Sequence, residues 1–269
     1  MSTNDPRADV ARRPLVLQLS GMNEVVVERN TPYRDGEDGV FDVYRVAGES
    51  SAATRPTVIF VVGNPDAGAR RFVGCALRDM ESYVTWARLL AVSGFVAITY
   101  TNKEPVTDAV RVLDHVRANA ASLGVDPRRI GIWSCSGNAP NALALLMSHG
   151  DAVRCVLLYY PYTLDVDGST AVAEAAAMYR FTNTPAGRAL EDLPPLPLCL
   201  VRAGQDKMHR LNEALDRFAD QVIKTDRPLT LINAAGAPHA FDIMTDTDAS
   251  RGVIRQSLEF LRIHLLEPS

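Results

Sequence analysis

Residues 130–148 read IGIWSCSGNAPNALALLMS. A short apolar run, 130–135, passes through Ser136-Gly137-Asn138 into a segment, 139–148, whose apolar residues recur at helical spacing. No connecting loop separates the two, so the stretch predicts a strand that turns directly into a helix. Such βα units belong to a parallel sheet, whose strands need helical crossovers to return to the same edge.

The neighbouring sequence repeats the unit. Residues 57–62 (TVIFVV) form a continuous β-branched run, the mark of a strand buried on both faces. Further strands are predicted at 25–28, 40–46, 96–100, 153–159, 197–202 and 229–233. Helices are predicted at 81–92, at 105–123 with Pro105 in the first turn and Gly124 at the stop, at 211–223 and at 253–265. The expectation is an α/β fold: a mostly parallel central sheet flanked by helices on both faces. The rhythm breaks once, between Tyr160 and Pro197. This interval carries the Ala-rich segment 170–179 and the Leu193-Pro194-Pro195 turn, and is expected to form a small helical cap at about 163–195. Residues 1–13 are expected to be a loose, flexible terminus, and 14–269 a single domain.

Composition excludes several classes of function. Of 269 residues 47% are hydrophobic and 22% charged, an ordinary globular balance. The net charge of −4, with no basic stripe, argues against nucleic acid and anionic lipid as partners. No apolar run reaches membrane-spanning length, and the start, MSTNDPRADVARR, lacks the apolar stretch of a signal peptide, so a cytoplasmic protein is expected. The four cysteines (Cys75, Cys135, Cys155, Cys199) read as free thiols, and no metal-ligand spacing stands out, so no metal and no cofactor are expected.

In open α/β sheets, ligands bind beyond the carboxyl ends of the strands. Ser136 sits at such an end, in the pattern small-x-Ser-x-small, with Ser134 and Asn138 where two glycines are usual. That pattern suits a tight strand-to-helix turn that lifts a hydroxyl clear of the sheet, although SCSGN also reads as a helix cap. A serine hydroxyl needs a base. Of five histidines, His239 lies in the loop after the last predicted strand. His115 reads as a surface residue beside Asp108 and Arg111, His149 as a helix end, His264 as a helical residue near the C-terminus, and His209 as a cap or surface residue. Asp206 follows the strand 197–202 through Gly204 and ranks above the rival acids Asp165, Asp167 and Asp242. After 57–62 comes Gly63-Asn64-Pro65. In hydrolases built on such a βα turn, this loop and the residue after the nucleophile supply the oxyanion donors; Pro65 has no N–H, so that arrangement would use Asn64, with Gly63 second, together with Gly137. The segment has a P-loop's G-x₄-G skeleton, but Ala69-Arg70 stands where Lys-Ser/Thr is required.

The order Ser136, Asp206, His239, together with Val61-Val62-Gly63-Asn64-Pro65, Arg202-Ala203-Gly204-Gln205-Asp206 and Pro238-His239-Ala240-Phe241-Asp242, resembles the α/β-hydrolase superfamily over roughly residues 55–265. Within it the chain is most similar to the dienelactone-hydrolase-like branch. The resemblance implies the α/β-hydrolase fold, with Ser136 as nucleophile, His239 as base and Asp206 as acid. Dienelactone hydrolases carry cysteine at the elbow; serine here points to esterase chemistry on a small-molecule ester. Val62-Gly63 replaces the usual His-Gly, and Asn138 the second elbow glycine. Tyr160, Tyr162 and Met208 are candidates for the substrate pocket. A thioesterase, lactonase or small acyl-peptide hydrolase would use the same triad. A non-catalytic receptor would keep the pocket without turnover, and a scaffold protein would lack a deep pocket under 163–195. A homodimer is left open.

Overall fold

The computed structural model describes residues 6–34, 39–47 and 54–266. In chain order the elements are helix α1 (Pro6–Ala11), strands β1 (Val26–Pro32), β2 (Val40–Arg45) and β3 (Arg55–Phe60), helices α2 (Asp66–Val73) and α3 (Glu81–Val92), strand β4 (Val96–Tyr100), and helices α4 (Pro105–Ala118) and α5 (Ala120–Leu123). Strand β5 (Val125–Cys135), helix α6 (Ala139–His149), strand β6 (Cys155–Tyr159), helix α7 (Ala171–Tyr179), strand β7 (Leu198–Ala203), helix α8 (Leu211–Lys224), strand β8 (Leu229–Ala234) and helices α9 (Phe241–Met244) and α10 (Asp248–Leu265) follow.

The strands form one sheet in the order β1-β2-β4-β3-β5-β6-β7-β8, with β2 antiparallel to both neighbours and β3 through β8 parallel. β4 and β6 are buried at every residue, as unbroken apolar runs require. The chain moves one way across the sheet from β3 to β4 and the other way from β4 over to β5 and on to β8. Right-handed crossovers therefore send α3 to one face and α4, α6 and α8 to the other. The order reverses between the ends of β3 and β5, where a sheet of this kind opens its crevice.

All eight predicted strands are present. The differences lie at boundaries and in short elements. The segment expected to be a loose terminus includes α1. α2 has only Ala69 and Val73 buried, too little apolar period to announce a helix. The 105–123 helix is two helices meeting at Asn119. β5 begins five residues early, pairing Val125 with Arg55 before a bulge. α10 also begins five residues early, where the Thr247 hydroxyl accepts the Ser250 N–H at 3.2 Å. The insertion contributes one regular helix, α7, and a 3-10 turn at Leu190–Asp192; α7 rests on α8. The four cysteines are free, and no helix among the described residues is long and apolar enough to cross a membrane.

Candidate active site

Ser136 follows the last residue of β5 with φ 51°, in the left-handed region that non-glycine residues avoid. A 3-10 turn over Ser136–Asn138 then leads into α6. The strain is held by its surroundings. Ser134, fully buried, donates its hydroxyl to the Val61 carbonyl at 2.7 Å, and Ser136 C=O accepts the Tyr162 N–H at 3.2 Å. The Ser136 Oγ lies 3.1 Å from His239 Nε2. Burial pushes the thiol of the neighbouring Cys135 up to about 12, which disfavours its thiolate.

The loops after β7 and β8 are sewn together. Gly204 N–H donates to Ala234 C=O at 2.9 Å and Gln205 N–H to Ala237 C=O at 2.8 Å. A Cβ on Gly204 would sit 2.3 Å from the Ala235 oxygen, so only glycine permits this approach. The junction brings Asp206 Oδ2 to 2.6 Å from His239 Nδ1. The Asp206 side chain is fully buried, and its second oxygen accepts the Met208 N–H at 2.8 Å. An ionised carboxylate has no proton to give, so Nδ1–H donates to Asp206 and Nε2 presents its lone pair to the Ser136 hydroxyl.

Behind the imidazole lies a polar assembly inside the core. The Tyr160 ring packs 4.6 Å from the His239 ring, and its hydroxyl donates to Asp242 Oδ1 at 2.7 Å. Trp86 Nε1–H donates to Asp242 Oδ2 at 2.8 Å. Burial raises the Asp242 pKa above the ordinary carboxyl value, a shift these two donors oppose.

On the β3 side, Asn64 N–H donates to none of the described residues. Gly63 N–H, the second choice for an oxyanion donor, is already engaged by Asn138 Oδ1 at 2.8 Å. A Cβ on Gly63 would lie 3.0 Å from Asn138 Cα and 3.1 Å from the Gly137 oxygen, so the two turns touch through backbone. Gly137 itself carries Phe181 from the insertion against its Cα.

Ser136, Asp206, His239, Gly137 and Asn64 thus converge at the carboxyl edge. The expected substrate residues divide. Tyr160 is buried, with its hydroxyl on Asp242 and its ring against His239. Tyr162 stacks on Phe181 at 5.1 Å and donates to His209 C=O at 2.8 Å. Met208 is half-buried beside Asp206.

The other candidates have separate structural work. Asp165 accepts the Val172 and Ala173 N–H groups at the start of α7, and Asp167 accepts from Gln221. His209 binds Glu174 of α7 at 3.0 Å, in keeping with a cap role. His115 packs on Phe41, and burial lowers its pKa. Asp108 is not on a solvated face; it is fully buried and accepts the Lys103 and Glu104 N–H groups at the start of α4. His149 binds Ser148, and His264 lies against Phe260. The sequence reading missed the contact of Asn138 with Gly63 and those of Tyr160 with His239 and Asp242. Only the departure of Asn138 from glycine was a signal, and it reads there as a defect.

No protein-family model and no curated protein matches the sequence. Solved structures match it in fold. A bacterial heroin esterase is 14% identical, with a TM-score of 0.66 over 98% of this chain and 98% of its own. The thermophilic esterase Est2 from the Planctomycetes species Thermogutta terrifontis is 18% identical, with a TM-score of 0.63 over 90% of this chain and 93% of its own. MGS-M1, an alpha/beta hydrolase enzyme from a Medee basin deep-sea metagenome library, is 16% identical, with a TM-score of 0.63 over 91% of this chain and 99% of its own. The chain has the α/β-hydrolase fold.

Proposed function

We propose that this protein is a serine hydrolase that cleaves small carboxylic esters through an acyl-enzyme. The observation that carries the reading is the unbroken relay Asp206–His239–Ser136, with contacts of 2.6 and 3.1 Å at a strained turn. His239 Nε2 takes the Ser136 proton as Oγ attacks the ester carbonyl. Asp206 stabilises the imidazolium that forms. The Asn64 and Gly137 N–H groups receive the oxyanion, each such donor being worth about 3 kcal/mol in the transition state. The tetrahedral intermediate collapses, the alcohol leaves with the proton from His239, and water attacks the acyl-enzyme through the same base. Phe181 packs against Gly137 of the elbow, and Tyr162 stacks on Phe181. Similarity in fold to structures named as esterases supports the same chemistry.

The test is covalent labelling with a fluorophosphonate, followed by peptide mapping and turnover of a p-nitrophenyl ester series. Label is expected on Ser136. Ser136→Ala is expected to abolish labelling and lower kcat by at least about 10⁴-fold. Label on Cys135, or equal labelling of wild type and Ser136→Ala, overturns the reading.

A further inference from the structure

The residue two past the nucleophile is small in the usual elbow because another backbone passes close by. Here it is Asn138, 7% exposed, and its carboxamide bridges the two turns of the site. Oδ1 accepts the Gly63 N–H at 2.8 Å and lies 3.4 Å from Asn64 Nδ2. Nδ2 donates to the buried Tyr83 hydroxyl at 3.2 Å, which anchors the amide to α3. Gly63 N–H needs an acceptor, so the amide has one workable orientation.

Two further asparagines grip the same loop. Asn141 Nδ2 donates to Val62 C=O at 2.8 Å. Asn102 Nδ2 donates to Asn64 C=O at 2.8 Å. Asn102 is itself fixed, since its N–H donates to the Asp66 carboxylate at 3.0 Å and its carbonyl accepts the Asp66 N–H at 2.6 Å. The Val62–Gly63 peptide is therefore held at its carbonyl and its N–H, and the Asn64–Pro65 peptide at its carbonyl. Between them lies the peptide that bears the Asn64 N–H. Gly63 has the widest backbone freedom of any residue, so its conformation must be imposed from outside.

We propose that Asn138 is a positioning residue for the oxyanion hole. With Asn102 and Asn141 it clamps the loop after β3, so that the Asn64 N–H faces the developing oxyanion before substrate arrives. The inference rests on the serine-hydrolase reading and explains a residue that reading does not use. Donors contribute fully to the transition state only if they need no reorientation during reaction.

The experiment compares wild type, Asn138→Ala and Asn102→Ala in p-nitrophenyl butyrate hydrolysis and in inhibition by a trifluoromethyl ketone, whose serine adduct carries the oxyanion. Thermal melts establish that each variant is folded. Asn102→Ala leaves the elbow untouched and carries the test if Asn138→Ala does not fold. Both variants are expected to lose about 10- to 100-fold in kcat, with a parallel loss of ketone affinity and KM within about threefold, because the lost donor acts in the transition state. The acid limb of the kcat/KM profile is expected to stay in place, since His239 keeps its partners. Folded variants with kcat and ketone affinity within about twofold of wild type, or with a change confined to KM, overturn the proposal. A wild type that neither labels with fluorophosphonate nor turns over ester shows instead that the hydrolase reading itself has failed.

Discussion

Asp242 stands three residues past His239 in the chain, yet it reaches the imidazole through Tyr160. Its two oxygens satisfy two donors inside the core, so the side chain matters more for what it accepts than for its charge. Asp242→Ala is expected to leave the Trp86 and Tyr160 donors unmet and to cost about 2–4 kcal/mol in urea unfolding. Asp242→Asn keeps an acceptor and is expected to cost less. The two forms differ with pH in a defined direction. Burial holds the wild-type pKa above the ordinary 3.8, so the folded state favours the protonated acid. That contribution is complete below the ordinary value and is lost as pH rises through the raised one. The stability of Asp242→Asn relative to wild type is therefore expected to improve from about pH 4 upward; a flat difference would contradict a raised carboxyl. At this scale the meeting of Ser136, Asp206 and His239 was legible, because each of the three follows a strand. Tyr160 was not, because an aromatic residue after a strand looks the same whether it lines a pocket or backs a histidine.

α7 is the element that makes the insertion a cap, and charge ties down its N-terminal half. The Asp165 carboxylate sits at its N-terminus, where the helix dipole favours an anion. From its first turn, Glu174 reaches Thr170, His209 and Arg210. Hydrogen bonds from Thr170, His209 and Arg210 hold the Glu174 carboxyl down to about 2, against an ordinary 4.5. The folded chain thus gives up this proton more readily than the unfolded chain does. The latch is fully formed above the ordinary value and is lost as pH falls through about 2. Amide exchange in α7 is expected to accelerate in wild type over that window. In Glu174→Gln it is expected to be fast already at neutral pH. Exchange in α7 that is equal in the two proteins at neutral pH would remove Glu174 from the latch. The Ala-rich segment announced α7 as a helix. The latch was invisible, because two of its partners, His209 and Arg210, lie 35 and 36 residues away in the chain.

Across the whole molecule, an aromatic cluster ties the sheet to the site. Trp86, fully buried, packs 5.7 Å from Trp133 and 5.1 Å from Tyr159, and also donates to Asp242. Trp86→Ala is expected to cost about 3–5 kcal/mol through the cavity it opens, together with a freed buried carboxylate. For a domain of this size that lowers Tm by roughly 6–20 °C. A loss under about 1 kcal/mol would mean that the cluster relaxes to fill the space. The amino-acid sequence by itself determined the strand and helix alternation, the parallel sheet and the placing of Ser136, Asp206 and His239 after strands, because these follow from local apolar periodicity and from which residue types end each strand. Only the tertiary structure decided that Asn138 takes the Gly63 N–H, and that Tyr160 packs on His239 while bonding Asp242. Those outcomes depend on hydrogen-bond partners brought together from distant parts of the chain, where a few tenths of an ångström decide which donor is spent and which stays free.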